Sequence, residues 1–362
     1  MPRRTPRRKA QKKSPLKWWC VFGQVSVEEV TLRTRTRHGL RPFAHRYGVQ
    51  NRSKSQRLQR VLSDFGSEDS FAQANQRIKE HYGFELHASA VRTATLKHAE
   101  RAGKILQSEY AQTYRSLPAH GPEVMLVEVD GSMVCTVPAW RKRNALRERI
   151  WQEIRLAAAQ PVGSTQTTFA ATFGSVQETG NRWGHTAKTA GRGINTRLHA
   201  VADGAEWIAQ QTRAVFGAEA TLLTDYYHVS EYLAAAARTC RPANPERWRH
   251  TQQKRLKTGA SAKVISELAA HIEPPESAEE NAPVRAAHRY LSNRCDTLDY
   301  ASALAAGLPI GSGLIESAHK HVLQARLKLP GAAWLQPNAE AIAQLRVFRS
   351  NHRWDELWPL AA

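Results

Sequence analysis

The chain has 362 residues, enough for two or three domains, and 41% of them are hydrophobic, so most of the chain should fold. It carries 52 Lys and Arg against 32 Asp and Glu, a net charge of +20. No apolar run reaches 18 residues, so we expect no membrane span, and the N-terminus lacks the apolar segment of a signal peptide. The four cysteines are far apart and form no CxxC pair. They indicate neither a zinc knuckle nor a disulfide framework, and they suit a reducing cytoplasm.

The positive charge is concentrated near the N-terminus. Residues 1–60 hold 17 Lys and Arg and two acids, and residues 1–17 hold eight basic residues, three prolines and no acid. This arm predicts a polyanionic partner, most simply nucleic acid, although a solvated tail has the same composition. We expect residues 1–17 to be disordered without a partner. Alternating apolar residues after Lys17 predict a small basic β-hairpin, which completes a first segment of residues 1–54.

Residues 55–107 are predicted to be helical. Apolar side chains recur at helical spacing from Leu58 to Phe65 and from Phe71 to Tyr82, and Ser89 is the expected N-cap of a third helix. Two short helices, a turn and a third helix fit a helix-turn-helix DNA-binding domain. A generic three-helix bundle fits the pattern equally well, and the adjacent basic arm favours DNA binding.

Residues 123–233 have the pattern of an α/β sheet. Two apolar runs end in the same dipeptide, Asp130-Gly131 and Asp203-Gly204, and a third run, residues 220–223, leads to Asp225 and His228. Acidic groups at the carboxyl ends of neighbouring buried strands are typical of catalytic sites in such sheets. The alternative is that Asp203 merely caps the helix that follows it. Residues 168–176 suggest another strand, and residues 145–158 fit either a strand or a helix.

The remaining chain is predicted to be mainly helical. Residues 234–306 are rich in Ala, Arg and Glu with proline breaks, and we interpret them as a helical insertion. In residues 307–362, Gly311 and Gly313 predict a tight loop, followed by a helix with Glu316 in its first turn. An amphipathic helix is expected from Asn338 to Trp358.

Three carboxylates stand out as a catalytic set: Asp130, Asp203 and Glu316. Carboxylates complete the shell of Mg²⁺ together with water and substrate phosphate, and two such ions can promote in-line displacement at phosphorus. The sequence contains no GxSxG elbow, no HExxH motif and no Gly-rich phosphate loop with Lys.

The chain resembles the DDE transposases of bacterial insertion sequences, specifically the ISKra4 family, from about Gly39 to the C-terminus. The matching motifs, in order, are DFGSEDSFAQANQRIKEHYG (64–83), EVDGSMV (128–134), TRLHAVADGAEWI (196–208), DYYHVSEYL (225–233) and GSGLIESAHKHVLQARLKLPGAAW (311–334). The resemblance implies an RNase H-like fold, a mixed five-stranded sheet with a helical insertion before the last acid. It also implies that Asp130, Asp203 and Glu316 bind Mg²⁺ or Mn²⁺ as the DDE triad.

The same resemblance implies a supporting role for Asp225 and His228, which match a D-x-x-H element of related transposases. The alternative for His228 is an ordinary residue of a helix N-terminus. The expected activity is metal-dependent cleavage and strand transfer at the ends of an insertion sequence. The expected partners are terminal inverted repeats and target DNA, bound by a homo-oligomer in the bacterial cytoplasm, at the nucleoid. A DNA-binding regulator or inactive relic, and a nuclease of another kind on the same fold, are the alternatives.

Overall fold

The computed structural model describes residues 10–33, 39–138 and 148–358. The chain divides into two compact units, Met1–Gly103 with Arg353–Ala362, and Lys104–His352. The sheet and the predicted site residues belong to the second unit.

The first unit begins with an antiparallel hairpin of β1 (Ala10–Cys20) and β2 (Gly23–Arg33). Its tight turn uses Gly23 at a φ of +103°, a left-handed conformation that glycine adopts without strain. The short β3 (Gly39–Leu40) pairs with β2, and α1 (Pro42–Arg46) follows. The prediction of disorder is wrong for residues 10–17, because cross-strand pairing with β2 holds them extended, and residues 1–9 lie outside the described residues.

Three helices follow: α2 (Gln56–Glu68), α3 (Phe71–Tyr82) and α4 (Ala88–Tyr110). The first unit includes α2, α3 and the part of α4 up to Gly103. The Ser70 hydroxyl caps α3 in a capping box with Gln73, and Gly83 ends α3 at a φ of +72°. The apolar stripes predicted from the sequence form the buried core of the unit. Ser89 is not an N-cap, because α4 already begins at Ala88.

The second unit is built on a mixed sheet. Its strands are β4 (Val124–Val137), β5 (Ile150–Pro161), β6 (Thr168–Thr172), β7 (Arg197–Ala202) and β8 (Ala220–Thr224), in the order β6-β5-β4-β7-β8. The first three strands pair antiparallel, whereas β4, β7 and β8 run parallel. The short β9 (Trp334–Leu335) pairs with the far end of β4. The chain therefore has a mixed α/β fold. The segment for which the sequence allowed two interpretations is residues 145–158; residues 150–158 of it lie in the strand β5, and residues 145–147 lie outside the described residues.

Helices surround this sheet. Those that precede the insertion are α5 (Val176–Thr189), α6 (Glu206–Phe216) and α7 (Tyr226–Cys240). Trp183 of α5 and Ile208 of α6 pack on Met125 and Ala200 of the sheet, and all four side chains are buried.

The predicted insertion is helical and contains α8 (Pro245–Lys257), α9 (Ser261–Ala269), α10 (Pro283–Ser292) and α11 (Tyr300–Ala305). It shares a buried core with α7 that includes Leu233, Leu256 and Leu291.

The chain then returns to the sheet through α12 (Gly313–Ala318), a π-helical turn (His319–Gln324), α13 (Ala325–Leu327) and α14 (Gln336–Ser350). The amphipathic helix predicted for residues 338–358 ends at Ser350, and a short 3₁₀ turn, Trp354–Leu357, follows it. In the parts of the chain that the structure describes, no helix has the length and apolar character needed to cross a bilayer.

Candidate active site

Two of the predicted acids lie on neighbouring parallel strands. Asp130 lies within β4, which pairs with β7 up to the partners Val127 and Ala200, and Asp203 directly follows the end of β7. The prediction that Asp130 ends its strand is wrong. β4 continues to Val137 because β5 pairs with it almost throughout, so only the Asp203-Gly204 dipeptide forms a turn, with Gly204 at a φ of +85°.

The carboxylates of Asp130 and Asp203 interact. The pKa of Asp130 is raised to about 6, mainly by burial and in addition by the negative charges of Asp203 and Glu153, which together outweigh the opposing effects of the Gly131 amide and the positive charge of His228. The Gly131 N–H donates to Asp130 Oδ1 at 2.7 Å. The side chain of Asp130 remains 38% exposed, so solvent ions and substrate can reach it.

His319, which the sequence analysis did not single out, contacts the backbone of Asp130. His319 is buried in the π-helical turn, and its Nε2 lies 3.2 Å from the Asp130 carbonyl oxygen and 3.8 Å from Asp130 Oδ2. Burial lowers the pKa of His319 to about 4, so the ring is neutral at physiological pH. With its proton on Nε2, the ring donates to the Asp130 carbonyl and fixes the backbone there.

Asp225 is an anchor between two segments of the chain. It is fully buried and caps α7, and its Oδ1 accepts from the Tyr227 N–H at 2.6 Å and the His228 N–H at 3.1 Å. Its Oδ2 accepts from the N–H of Ser312, at 2.6 Å, and from the Ser312 hydroxyl. Burial alone would raise the pKa of Asp225, but the contacts with His228 and Ser312 outweigh it and hold the pKa well below the usual range.

The loop that precedes α12 depends on this anchor. A Cβ at Gly311 would lie 2.5 Å from the Tyr227 ring, so only glycine lets the loop approach α7 so closely. Ser312, the middle residue of the Gly-Ser-Gly motif, supplies both donors to Asp225 Oδ2. The motif is therefore explained by packing and by a buried carboxylate that needs donors.

His228 is a cation at neutral pH. Its Nδ1 lies 3.8 Å from Asp225 Oδ1, and the contact with Asp225 raises the pKa of His228 to about 9, against the effect of burial and with help from Asp203. Its side chain is 42% exposed, so it can meet an anionic substrate.

Glu316 lies in the first turn of α12 and is exposed. It neighbours a buried acid, Glu128, which is 1% exposed and accepts from the Ile315 N–H through Oε2 at 2.8 Å. The pKa of Glu128 is raised to about 8, mainly by burial and in addition by the charges of Asp225 and Glu316, against the opposing effect of the Ile315 amide. Because Glu128 and Asp130 are two residues apart on one strand, they point to the same face, so α12 begins next to the Asp130 side of the sheet. The sequence signal for Glu128 was an acid that interrupts an apolar run.

Two residues of the insertion donate hydrogen bonds to the turn that contains Asp203. The Tyr290 hydroxyl donates to the Asp203 carbonyl oxygen, and Arg294 donates to the Gly204 carbonyl oxygen through Nε at 2.9 Å and Nη2 at 2.6 Å. A Cβ at Gly204 would lie 2.2 Å from Arg294 Nε. These contacts join residues some ninety positions apart, so no local sequence signal predicts them.

The donor set suits a hard divalent cation. Among the described residues no three His, Cys, Asp or Glu groups are placed to hold an ion between them. Mg²⁺, however, is usually held by one or two carboxylates, with water and substrate phosphate completing its shell. The interacting pair of Asp130 and Asp203 meets that requirement, since a cation between them would relieve their mutual repulsion.

Comparisons with known proteins give a family model and a similar solved structure. The model of the uncharacterised protein family UPF0236 matches residues 193–355, a span from before β7 to just after α14 that includes Asp203, Asp225 and Glu316. No curated protein matches the chain. A Drosophila P element transposase strand transfer complex is similar with a TM-score of 0.32 and 9% identity, over 87% of this chain and 83% of that one.

Proposed function

We propose that the protein is a DDE transposase of the ISKra4 kind with an RNase H-like core, which cleaves and joins DNA at the ends of an insertion sequence. The observation that carries the proposal is the pair of interacting carboxylates on adjacent parallel strands, Asp130 and Asp203, with the Glu316 helix tied to the same face through Glu128. The mixed sheet and the helical insertion before Glu316 agree with what the sequence resemblance implies.

In this proposal Asp130 and Asp203 hold divalent cations, Mg²⁺ or Mn²⁺, and Glu316 completes the set when DNA is bound. Bound there, such cations would supply the activation of an attacking oxygen and the stabilisation of the leaving oxygen in an in-line displacement at phosphorus. His319 and the pair of Tyr290 and Arg294 fix the backbones that carry the two aspartates.

His228 has a separate role in the proposal. Its imidazolium, positive at neutral pH, interacts electrostatically with Asp130 and Asp203 and can donate a hydrogen bond to a scissile phosphate. Asp225 sets the position of His228 through the cap of α7 and keeps it charged.

DNA recognition belongs to the first unit in this account. We assign helices α2 to α4 to a helix-turn-helix that reads the terminal inverted repeats, and the basic N-terminal residues to phosphate contacts. Two ends must be joined to one target, so the active form is at least a dimer on DNA.

The test is a cleavage and strand-transfer assay on DNA that carries the element's own ends, with Mg²⁺ or Mn²⁺. Asp203→Asn should abolish both reactions and leave the affinity for DNA nearly unchanged, whereas Asp296→Asn, a change at an exposed carboxylate of the insertion, should leave them intact. Retained cleavage by Asp203→Asn would overturn the site. Binding of the ends by the wild type without metal-dependent cleavage would favour a regulator, and cutting without joining a nuclease.

A further inference from the structure

The helical insertion has opposite charges in its two halves. Residues 234–263 contain eight Lys and Arg and one acid, whereas residues 264–306 contain three Lys and Arg and seven acids. The basic half consists of the end of α7, all of α8 and the start of α9. Neither the carboxylate site nor its mechanism uses this basic half.

A groove of 520 Å³ is lined mainly by the basic half, including three arginines, Arg241, Arg247 and Arg255. Arg247, Thr251 and Arg255 are spaced by four residues along α8, so they share one face of the helix, and Arg241 ends the preceding helix. Three guanidinium groups on one groove create a strong positive potential.

The groove has more donors than acceptors. Its only acid among the described lining residues, Glu267, already accepts from Trp248 Nε1 and from Arg255 Nη1, both at 3.3 Å. The guanidinium groups of Arg241 and Arg247 have no hydrogen-bond or ion-pair partner in the described parts of the chain, and both residues are exposed. The planar guanidinium groups of these two arginines can each donate paired hydrogen bonds to the oxygens of a phosphate group.

The described lining of the groove offers no surface on which a base could stack. Trp248 is the only aromatic residue among these lining residues, and its side chain is 5% exposed with its Nε1 bonded to Glu267. A nucleotide or single-strand site would be expected to present an open ring face. Contacts from arginine alone recognise the backbone of nucleic acid and carry no sequence information.

We propose that the groove of Arg241, Arg247 and Arg255 binds the phosphate backbone of duplex DNA, as a second, sequence-independent DNA contact besides the carboxylate site. The choice of DNA as the nucleic acid rests on the proposed function. The groove would bind DNA flanking the reacting phosphate or target DNA, and its contribution would depend strongly on salt.

The experiment measures binding of a fluorescein-labelled duplex of random sequence to the full chain by anisotropy, over a range of NaCl concentrations. Each lost phosphate contact lowers the slope of log K against log salt by about 0.9. The double variant Arg241→Ala/Arg247→Ala should therefore show a slope smaller by about 1.8, and the double variant with Lys at both positions should keep most of the slope.

Arg289→Ala is the matched control, because Arg289 lies in the same insertion, is exposed and is already paired with Glu279. It should leave the slope unchanged. An unchanged slope in the double alanine variant, with thermal unfolding like that of the wild type, would overturn the proposal. So would displacement of the duplex by ATP from the wild type but not from that variant, since the groove would then be a nucleotide site.

The outcome is independent of the proposed catalytic function. If the wild type fails to cleave DNA but the double alanine variant shows the reduced slope, the groove stands and the transposase proposal fails. If cleavage is normal and the slope does not change, the groove proposal fails alone. Asp203→Asn should keep the full wild-type slope in either case.

Discussion

Asp225 illustrates how a buried carboxylate organises a site through its neighbours. It accepts from backbone and side-chain donors of two segments, α7 and the loop before α12, and it lies 3.8 Å from the His228 ring. Because the contact between the two side chains contributes both to the low pKa of Asp225 and to the high pKa of His228, loss of the Asp225 charge should change the pKa of His228.

Asp225→Asn should lower the pKa of His228 from about 9 towards the ordinary value of about 6.5, since the contact with the carboxylate is the main cause of the shift. The raised pKa stabilises the fold fully below about pH 6.5, and this contribution is lost as the pH rises through 9. Titration of the imidazole by NMR measures the change. Asp296→Asn should leave the pKa in place, and a His228 pKa that stays near 9 without the Asp225 charge would contradict the assignment.

Glu128 is a second residue whose shifted pKa makes the stability of the fold depend on pH. Here a substitution that removes the charge should stabilise the protein. The folded-state pKa of Glu128, about 8, lies above the ordinary value, so the wild type should lose stability as the pH rises from about 4.5 through 8. Glu128→Gln stays neutral and can still accept from the Ile315 N–H. In EDTA the variant should therefore be the more stable protein above pH 8, by a few kcal/mol in denaturant titrations. Glu276→Gln, a change at an exposed side chain, is the control and should show the same dependence of stability on pH as the wild type. The same pH dependence in Glu128→Gln would contradict the prediction.

At the scale of elements, the insertion acts on the sheet through α10 and the turn after it. Tyr290 and Arg294 hold the carbonyl oxygens of Asp203 and Gly204, and the Arg294 guanidinium lies 4.0 Å from the centre of the Tyr290 ring. The ring of Tyr232 stacks on Tyr290 with centroids 4.1 Å apart. The insertion therefore helps to fix the backbone position of Asp203.

Tyr290→Phe should reduce the rate constant of DNA cleavage about fivefold, because one lost hydrogen bond is worth about 1 kcal/mol and Asp203 becomes less well fixed. The DNA dissociation constant and the thermal midpoint should change little. Tyr232→Phe keeps the stacked ring and is the control. Equal single-turnover rates for the two variants would show that the Tyr290 hydroxyl does not position Asp203.

The sequence predicted helices and strands better than it predicted contacts between distant segments. Periodicity and turn residues were sufficient for β7, α6 and β8, which are short, local and bounded by Gly204 and Gly217. The Asp-Gly dipeptide at Asp130 wrongly predicted the end of a strand, because long-range pairing with β5 decides where β4 ends. His319, Tyr290 and Arg294 were missed for the same reason, since each acts on a segment far away in the sequence.

At the scale of the whole chain, the C-terminal residues return to the first unit. Leu357 and Trp358 are buried there, the His98 and Trp358 rings lie 4.3 Å apart, and Arg101 Nη1 donates to the Leu357 carbonyl at 3.1 Å. The N-terminal unit therefore contains both ends of the described chain.

Deleting residues 353–362 should destabilise the first unit by on the order of 4 kcal/mol, because two large apolar side chains lose their burial. Hydrogen exchange should accelerate in α2 and α3 and stay slow in β4 and β7. Asp355→Asn should have little effect, since Asp355 is 86% exposed in its ion pair with Arg60. Uniform loss of protection in both units would contradict this division of the chain.

The central claim is that Asp130, Asp203 and Glu316 share divalent cations when DNA is bound. Replacement of Mg²⁺ by Fe²⁺ in the complex with end DNA, followed by ascorbate and peroxide, cuts the polypeptide where the metal lies, and mass spectrometry maps the cuts. We expect cuts near residues 130, 203 and 316 that disappear in Asp203→Asn. Cuts near 130 and 203 without any near 316, or cuts that persist in Asp203→Asn, would contradict the claim.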